Sequence, residues 1–188
     1  MERSRVKTVA VVGSSKAIDG DGRYKAAFDV GRGLVNRGFR VVTGGRGGVM
    51  EAACRGAHTA EAYREGVTVA ILPGRSPDQA NPYVDIAIPT GLNIARNAII
   101  AHSDGVIGIG GGSGTLAELA MAWQLGRPVI TVDLGGWSGR LGGERLDDRP
   151  SPTGKDDRVW KAEDPKEAVQ MMEKLLEKAF PKPRRFSP

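Results

Sequence analysis

Three features of the 188-residue sequence predict an α/β protein built on a parallel sheet. Short, almost continuous apolar runs rich in Val and Ile alternate with longer stretches of helical periodicity. The runs are too apolar for strands with one wet face, so helices must cover both sides of the sheet. Three of the six runs end directly on glycine, the residue a tight strand-to-helix turn uses most.

The elements follow in order. Residues 6–12 read as a first strand that ends at Gly13-Ser14-Ser15. Residues 24–36 place Ala27, Val30, Leu34 and Val35 at helical spacing, and Gly38 stops the helix. Residues 39–43 form a second strand ending at Gly44-Gly45; residues 49–65 a helix; 67–72 a third strand; 84–88 a short fourth. A helical stretch over 94–102 leads into a fifth strand, 105–109, which meets Gly110-Gly111-Gly112-Ser113-Gly114. A helix over 115–125 and a sixth strand over 128–132 come next. Residues 135–157, rich in Gly, Asp, Arg and Pro, read as a long surface loop, and 165–180 as a last amphipathic helix. The whole chain reads as one domain with loose ends at 1–5 and 181–188. The expected architecture is a Rossmann-like, doubly wound, three-layer sheet.

Composition narrows the function. Apolar residues make up 40% and charged residues 26%, a globular balance. The single cysteine, Cys54, excludes an internal disulfide and a multi-cysteine zinc site, and it reads as a core thiol on a helix face. No apolar run is long enough to span a bilayer and no leader pattern follows Met1, so a cytoplasmic protein away from membranes is expected. The net charge is +5, but residues 1–7 carry +2 and residues 178–188 carry +4, leaving −1 on the body between. A nucleic-acid groove needs its cations on the folded surface, so nucleic acid is not the expected partner.

In open parallel sheets ligands sit outside the carboxyl ends of the strands. Gly13, Ser14, Ser15, Gly44 and Gly45 fall on that edge, together with the run Gly110-Gly111-Gly112-Ser113-Gly114-Thr115-Leu116-Ala117-Glu118. In that run a strand passes through small residues into a helix, and free N–H groups at the helix start attract a phosphate. It is neither a Gly-Lys-Ser/Thr P-loop nor a GxGxxG fingerprint, which points to a mononucleotide-like phosphate. Thr115-x-x-Glu118 has capping-box spacing, and its carboxylate also lies within reach of anything bound at the helix start. Both readings stand at this point. Arg96 precedes this strand and offers a planar fork for a phosphate. Lys16 and Asp133 lie at strand ends that could touch the ligand; His102-Ser103-Asp104 starts a strand at the opposite edge and reads as structural; Met121 and Trp123 read as core or subunit surface.

Arg96 taken with Gly111-Gly112-Ser113-Gly114-Thr115-x-x-Glu118 resembles the LOG (LONELY GUY) proteins, and Thr43-Gly44-Gly45-Arg46-Gly47-Gly48-Val49-Met50-Glu51 resembles their second glycine-rich motif. The resemblance covers roughly residues 6–133. It implies a nucleoside 5′-monophosphate phosphoribohydrolase that releases base and ribose 5-phosphate. Arg96 and Glu118 would be the catalytic pair, and Gly111, Gly112, Gly114 and Thr115 the phosphate cradle. It also implies a homo-oligomer, a dimer or larger, with no metal and no cofactor. Gly110 stands where the motif has proline, Asn97 where a lysine usually follows the arginine, and Arg46 where a third glycine is common. These departures resemble a side branch that includes molybdenum-cofactor carriers and DprA/Smf-related proteins. A carrier of that kind binds a phosphorylated pterin in the same cradle, without turnover. Lysine decarboxylation, a label long attached to LOG proteins, is excluded: pyridoxal chemistry needs a pocket lysine, and only Lys16 lies near a strand end, with no partner for the pyridinium.

Overall fold

A computed structural model describes residues 5–148 and 158–179. Its centre is a seven-stranded sheet in which all six neighbouring pairs run parallel. The strands are β1 (Thr8–Gly13), β2 (Arg40–Thr43), β3 (Thr68–Leu72), β4 (Ile86–Pro89), β5 (Gly105–Ile109), β6 (Val129–Val132) and β7 (Trp160–Ala162). Their order is β4-β3-β2-β1-β5-β6-β7, so the chain winds outward one way from β1 and then returns to wind the other way. The Rossmann-like, doubly wound reading holds.

Side-chain alternation along β1 explains the three layers. Val9 and Val11 face α1 (Gly22–Asn36), α2 (Val49–His58) and α6 (Pro165–Ala179). Ala10 and Val12 face α3 (Asn97–Ala101) and α4 (Ser113–Gln124). Both faces of the strand are closed to water, which is why its sequence lacks polar alternation. A short 3-10 turn, Asn93–Arg96, enters α3. It starts on Asn93 at φ 51°, a left-handed conformation that asparagine tolerates better than most residues.

Several expectations are corrected. The helix expected over 49–65 ends at His58, and Thr59 and Ala60 continue as turns that bond back to Gly56 and Ala57. The surface loop expected from 135 contains α5 (Gly136–Leu141), and β7 was not expected at all. The remainder of that loop, 149–157, lies outside the described residues, as do 1–4 and 180–188. Arg5, assigned to a loose end, instead forms a salt bridge with buried Asp104, whose carboxylate also accepts from the Thr8 N–H at 2.9 Å. This agrees with the structural reading of His102-Ser103-Asp104. Among the described residues no helix is long and apolar enough to cross a membrane.

Candidate functional site

The sheet reverses its winding beside β1, and loops diverging there leave a gap at the carboxyl edge. A crevice of about 620 Å³ fills it, lined from the ends of β1, β2 and β3, from the 93–97 turn and from the start of α4. Its walls are tied together by backbone bonds. Ser14 N–H donates to the Ile109 carbonyl at 3.3 Å, and Val49 N–H donates to the Ser14 carbonyl at 2.9 Å. Behind the loop between β5 and α4, the first turn of α5 acts as a brace. Trp137 N–H donates to the Gly111 carbonyl at 3.0 Å, and the Ser138 hydroxyl donates to that of Gly110 at 2.8 Å.

The start of α4 is open. Gly112 is its N-cap and supplies no side chain, and the first helical bond runs from Leu116 N–H to the Gly112 carbonyl at 3.0 Å. The N–H groups of Ser113, Gly114 and Thr115 have no acceptor among the described residues. The capping-box reading is therefore corrected. Thr115 is the third residue of the helix rather than its cap, and Glu118 points to Arg96 rather than back along the chain. Thr115 is buried as a residue and lines the crevice, and its hydroxyl makes no hydrogen bond among the described residues. It packs beneath Gly111, where φ is +89° and a Cβ would lie 2.1 Å from the hydroxyl oxygen. Only glycine leaves that threonine its place.

Arg96 and Glu118, 22 residues apart in sequence, meet at 3.3 Å with side chains 13% and 10% exposed. Gly44 makes room for the arginine: a Cβ there would lie 2.5 Å from Arg96 Nη1. Burial dominates the electrostatics of the pair. It pushes the Glu118 carboxyl up to about 7 despite the pull of Arg96. It also lowers Arg96, with Glu118 opposing and Arg46 adding to the effect. The Arg96 Nε–H is buried without a partner. Among the described residues Lys16, Arg46 and Arg96 thus face the crevice with Glu118 as its one carboxylate, raised by burial to about 7. The cavity favours an anion.

The other expected residues divide. Gly13, Ser14, Ser15, Lys16, Gly44, Gly112, Ser113, Gly114, Thr115, Arg96 and Glu118 all line the crevice. Gly45 and Gly111 lie one layer behind it. Gly45 packs against Ala70 and Leu72, and Gly111 against Thr115. Asp133 is outside, in a 2.8 Å ion pair with Lys161. Cys54 is a fully buried core thiol near the Thr43 hydroxyl, pushed up to about 12 by burial. Trp123 is core, its indole N–H donating to Asp147 at 2.8 Å. Pro73, Asn93 and Ile94 join the lining without a motif to announce them, and Met50 joins it from the second glycine-rich motif. Asn97 and Arg46 also line it, and both were visible in the sequence as departures from the LOG pattern. Among the described residues there is no cluster of His, Cys, Asp and Glu suited to a metal ion.

Known proteins are similar to this chain in sequence and in fold. A protein of Archaeoglobus fulgidus is 38% identical over 129 residues, 68% of this chain and 81% of its own. The structure of the molybdenum cofactor binding protein from the phototrophic bacterium Rippkaea orientalis matches with 33% identity and a TM-score of 0.76, covering 93% of this chain and 99% of that one. The molybdenum cofactor carrier protein of Chlamydomonas reinhardtii matches with 29% identity and a TM-score of 0.69, covering 92% and 99%. The SLOG cluster4 family model matches residues 6–169, from β1 into α6. The chain is therefore a member of the SLOG cluster4 family, in the superfamily that unites the SMF/DprA and LOG proteins.

Proposed function

We propose that this protein binds a phosphorylated pterin of the molybdenum-cofactor type in the crevice and carries it, in the cytoplasm, without chemical turnover. The observation that supports this most is the set of unsatisfied donors at the start of α4. Three backbone N–H groups, the Thr115 hydroxyl and the Arg96 Nε–H all lack protein acceptors there. Thr115 and the Arg96 Nε–H are buried, where a donor is stable only when something accepts from it, while Ser113 and Gly114 are exposed and present their N–H groups to the crevice. A phosphate monoester supplies several oxygen acceptors and a double negative charge to a helix N-terminus flanked by cations. The crevice volume suits a ligand much larger than phosphate. The two structural relatives, one that binds and one that carries molybdenum cofactor, favour a pterin as the remainder.

The buried Arg96–Glu118 pair favours a second reading, hydrolysis of a nucleoside 5′-monophosphate to base and ribose 5-phosphate. A carboxyl near 7 could stabilise an oxocarbenium-like sugar or take a proton from water. Purified protein separates the two readings. A carrier retains a phosphorylated pterin visible by absorbance and mass spectrometry, releases no adenine from AMP, and keeps its ligand in Glu118→Gln. A hydrolase releases base, and Glu118→Gln abolishes release while preserving binding. In either case Thr115→Val should weaken ligand binding about tenfold, the worth of one hydrogen bond to a charged group. Unchanged affinity would remove the phosphate from the start of α4.

The proposal includes a homo-oligomer. Ile86, Ile88, Leu92, Ile94 and Ile99 are exposed on or after the edge strand β4, where a second copy would cover them. Light scattering should give a multiple of the 19.9 kDa chain mass, reduced to one chain in Ile94→Lys.

A further inference from the structure

The phosphate accounts for the donors at α4 and leaves one buried polar group of the crevice unexplained. Asn97, the first residue of α3, lines the crevice and is only 7% exposed. Its backbone N–H is used by the preceding turn, donating to Ala95 and Ile94 carbonyls. Its side-chain carboxamide makes no hydrogen bond among the described residues. Asn36 and Asn81, by contrast, spend their amides on the fold: Asn36 accepts from Ala62 N–H, and Asn81 donates to the Gly45 and Arg46 carbonyls. A carboxamide carries two N–H donors and an acceptor oxygen, and those of Asn97 are not sealed in the core but stay open on the crevice side, free to bond a ligand.

The chemistry of the group says what it suits. It is neutral, so it adds nothing to the attraction for phosphate that Arg96, Lys16 and Arg46 provide. It presents a donor beside an acceptor in one plane, the complement of a ring edge where an N–H adjoins a carbonyl or an amine adjoins a ring nitrogen. Asparagine reads such edges in two-bond pairs. Its position fits the task, because the adjoining residue in the chain, Arg96, is already committed to Glu118 at 3.3 Å.

We propose that Asn97 is a specificity residue that reads the amide edge of the ligand's heterocycle, its N–H donating to the ring carbonyl and its Oδ1 accepting from the neighbouring ring N–H. This rests on the phosphate-binding reading above and extends it from the charged end of the ligand to the ring. A pterin and guanine share the same 2-amino-4-oxopyrimidine ring, so GMP is a usable probe for either source of that edge.

The test is calorimetry on the full chain with GMP, ribose 5-phosphate and GMP methylated at ring N1. Wild-type protein should bind GMP about tenfold more tightly than ribose 5-phosphate, the worth of one or two hydrogen bonds. The methyl group replaces the ring N–H and should abolish that advantage with no change to the protein. Asn97→Leu, close in size and without polar atoms, should keep the ribose 5-phosphate affinity and lose the preference for GMP. A preference that survives both the methyl group and the leucine overturns the proposal, as does equal binding of GMP and ribose 5-phosphate by wild type. Failure to bind ribose 5-phosphate would instead strike the phosphate reading on which this one stands. If Asn97→Leu does not fold, the methylated probe decides alone.

Discussion

Glu118 shows how differently one side chain behaves in a sequence and in a fold. Four positions of local sequence made it half of a capping box, but the helix starts two residues earlier, at Ser113, with Gly112 as its cap. The carboxylate therefore projects from the second turn into the crevice, where only a residue far along the chain can answer it. No periodicity announces that Arg96 is that residue; the resemblance to LOG motifs did. Burial of the carboxylate carries a cost that the pairing only partly offsets. Because burial raises the folded carboxyl from its ordinary 4.5 to about 7, the folded state holds this proton more tightly than the unfolded chain. The stability it confers is complete below 4.5, declines as pH rises toward 7 and is level above. Glu118→Gln fixes the neutral form. In ligand-free protein it should raise unfolding stability at pH 8 by on the order of 3 kcal/mol and change little at pH 4. Urea unfolding at the two pH values checks this, and an equal effect at both would mean the carboxyl is not raised.

At the level of elements, six strands were legible because each is an apolar β-branched run, and two elements were not. β7 is three residues long, Trp160–Ala162, and exists because β6 offers it an edge to pair with. α5 contains Gly136 and Gly139, poor helix formers, in a stretch whose composition is that of a loop. Tertiary bonds supply what propensity lacks, since its first turn donates to the carbonyls of Gly110 and Gly111. The segment that looked least structured thus braces the loop that leads into the start of α4, the proposed phosphate site. Gly136 sits at φ +64°, and a Cβ there would lie 2.6 Å from the Gly111 carbonyl oxygen. Gly136→Ala should cost about 2 kcal/mol through backbone strain and overlap. It should also weaken phosphate binding although residue 136 is outside the crevice. Thermal unfolding and ribose 5-phosphate calorimetry read the two effects, and a loss of stability with intact binding would show that the brace does not position the cradle.

Across the whole molecule the two edges of the sheet treat carboxylates in opposite ways. At the carboxyl edge Glu118 is buried beside one arginine and is harder to ionise. At the amino edge Asp104 is also buried and the half-buried Asp85 hides its side chain, yet each is surrounded by donors. Asp104 receives Arg5 and the Thr8 N–H; Asp85 receives the Tyr63 hydroxyl at 2.8 Å and the Gly66 and Thr68 N–H groups, with His58 3.2 Å away. Burial alone would raise both, but these donors outweigh it and hold both below the ordinary carboxylate range. Their contribution is present above about 3.9 and lost as pH falls through the lowered folded values, the reverse of Glu118. The two edges together predict a stability maximum on the acid side of neutrality. Asp104→Asn should remove about 2 kcal/mol at pH 5, where it trades a charge-assisted network for a neutral amide, and should make the acid limb shallower. Combined with Glu118→Gln, whose site lies across the sheet from it, the effects should add. The double variant should show a profile flatter at both ends than wild type, measured as unfolding free energy from pH 3 to pH 8. A profile that keeps its wild-type acid limb in Asp104→Asn would mean that Arg5 and Thr8 do not lower this carboxylate, and that the amino edge is held by apolar packing alone.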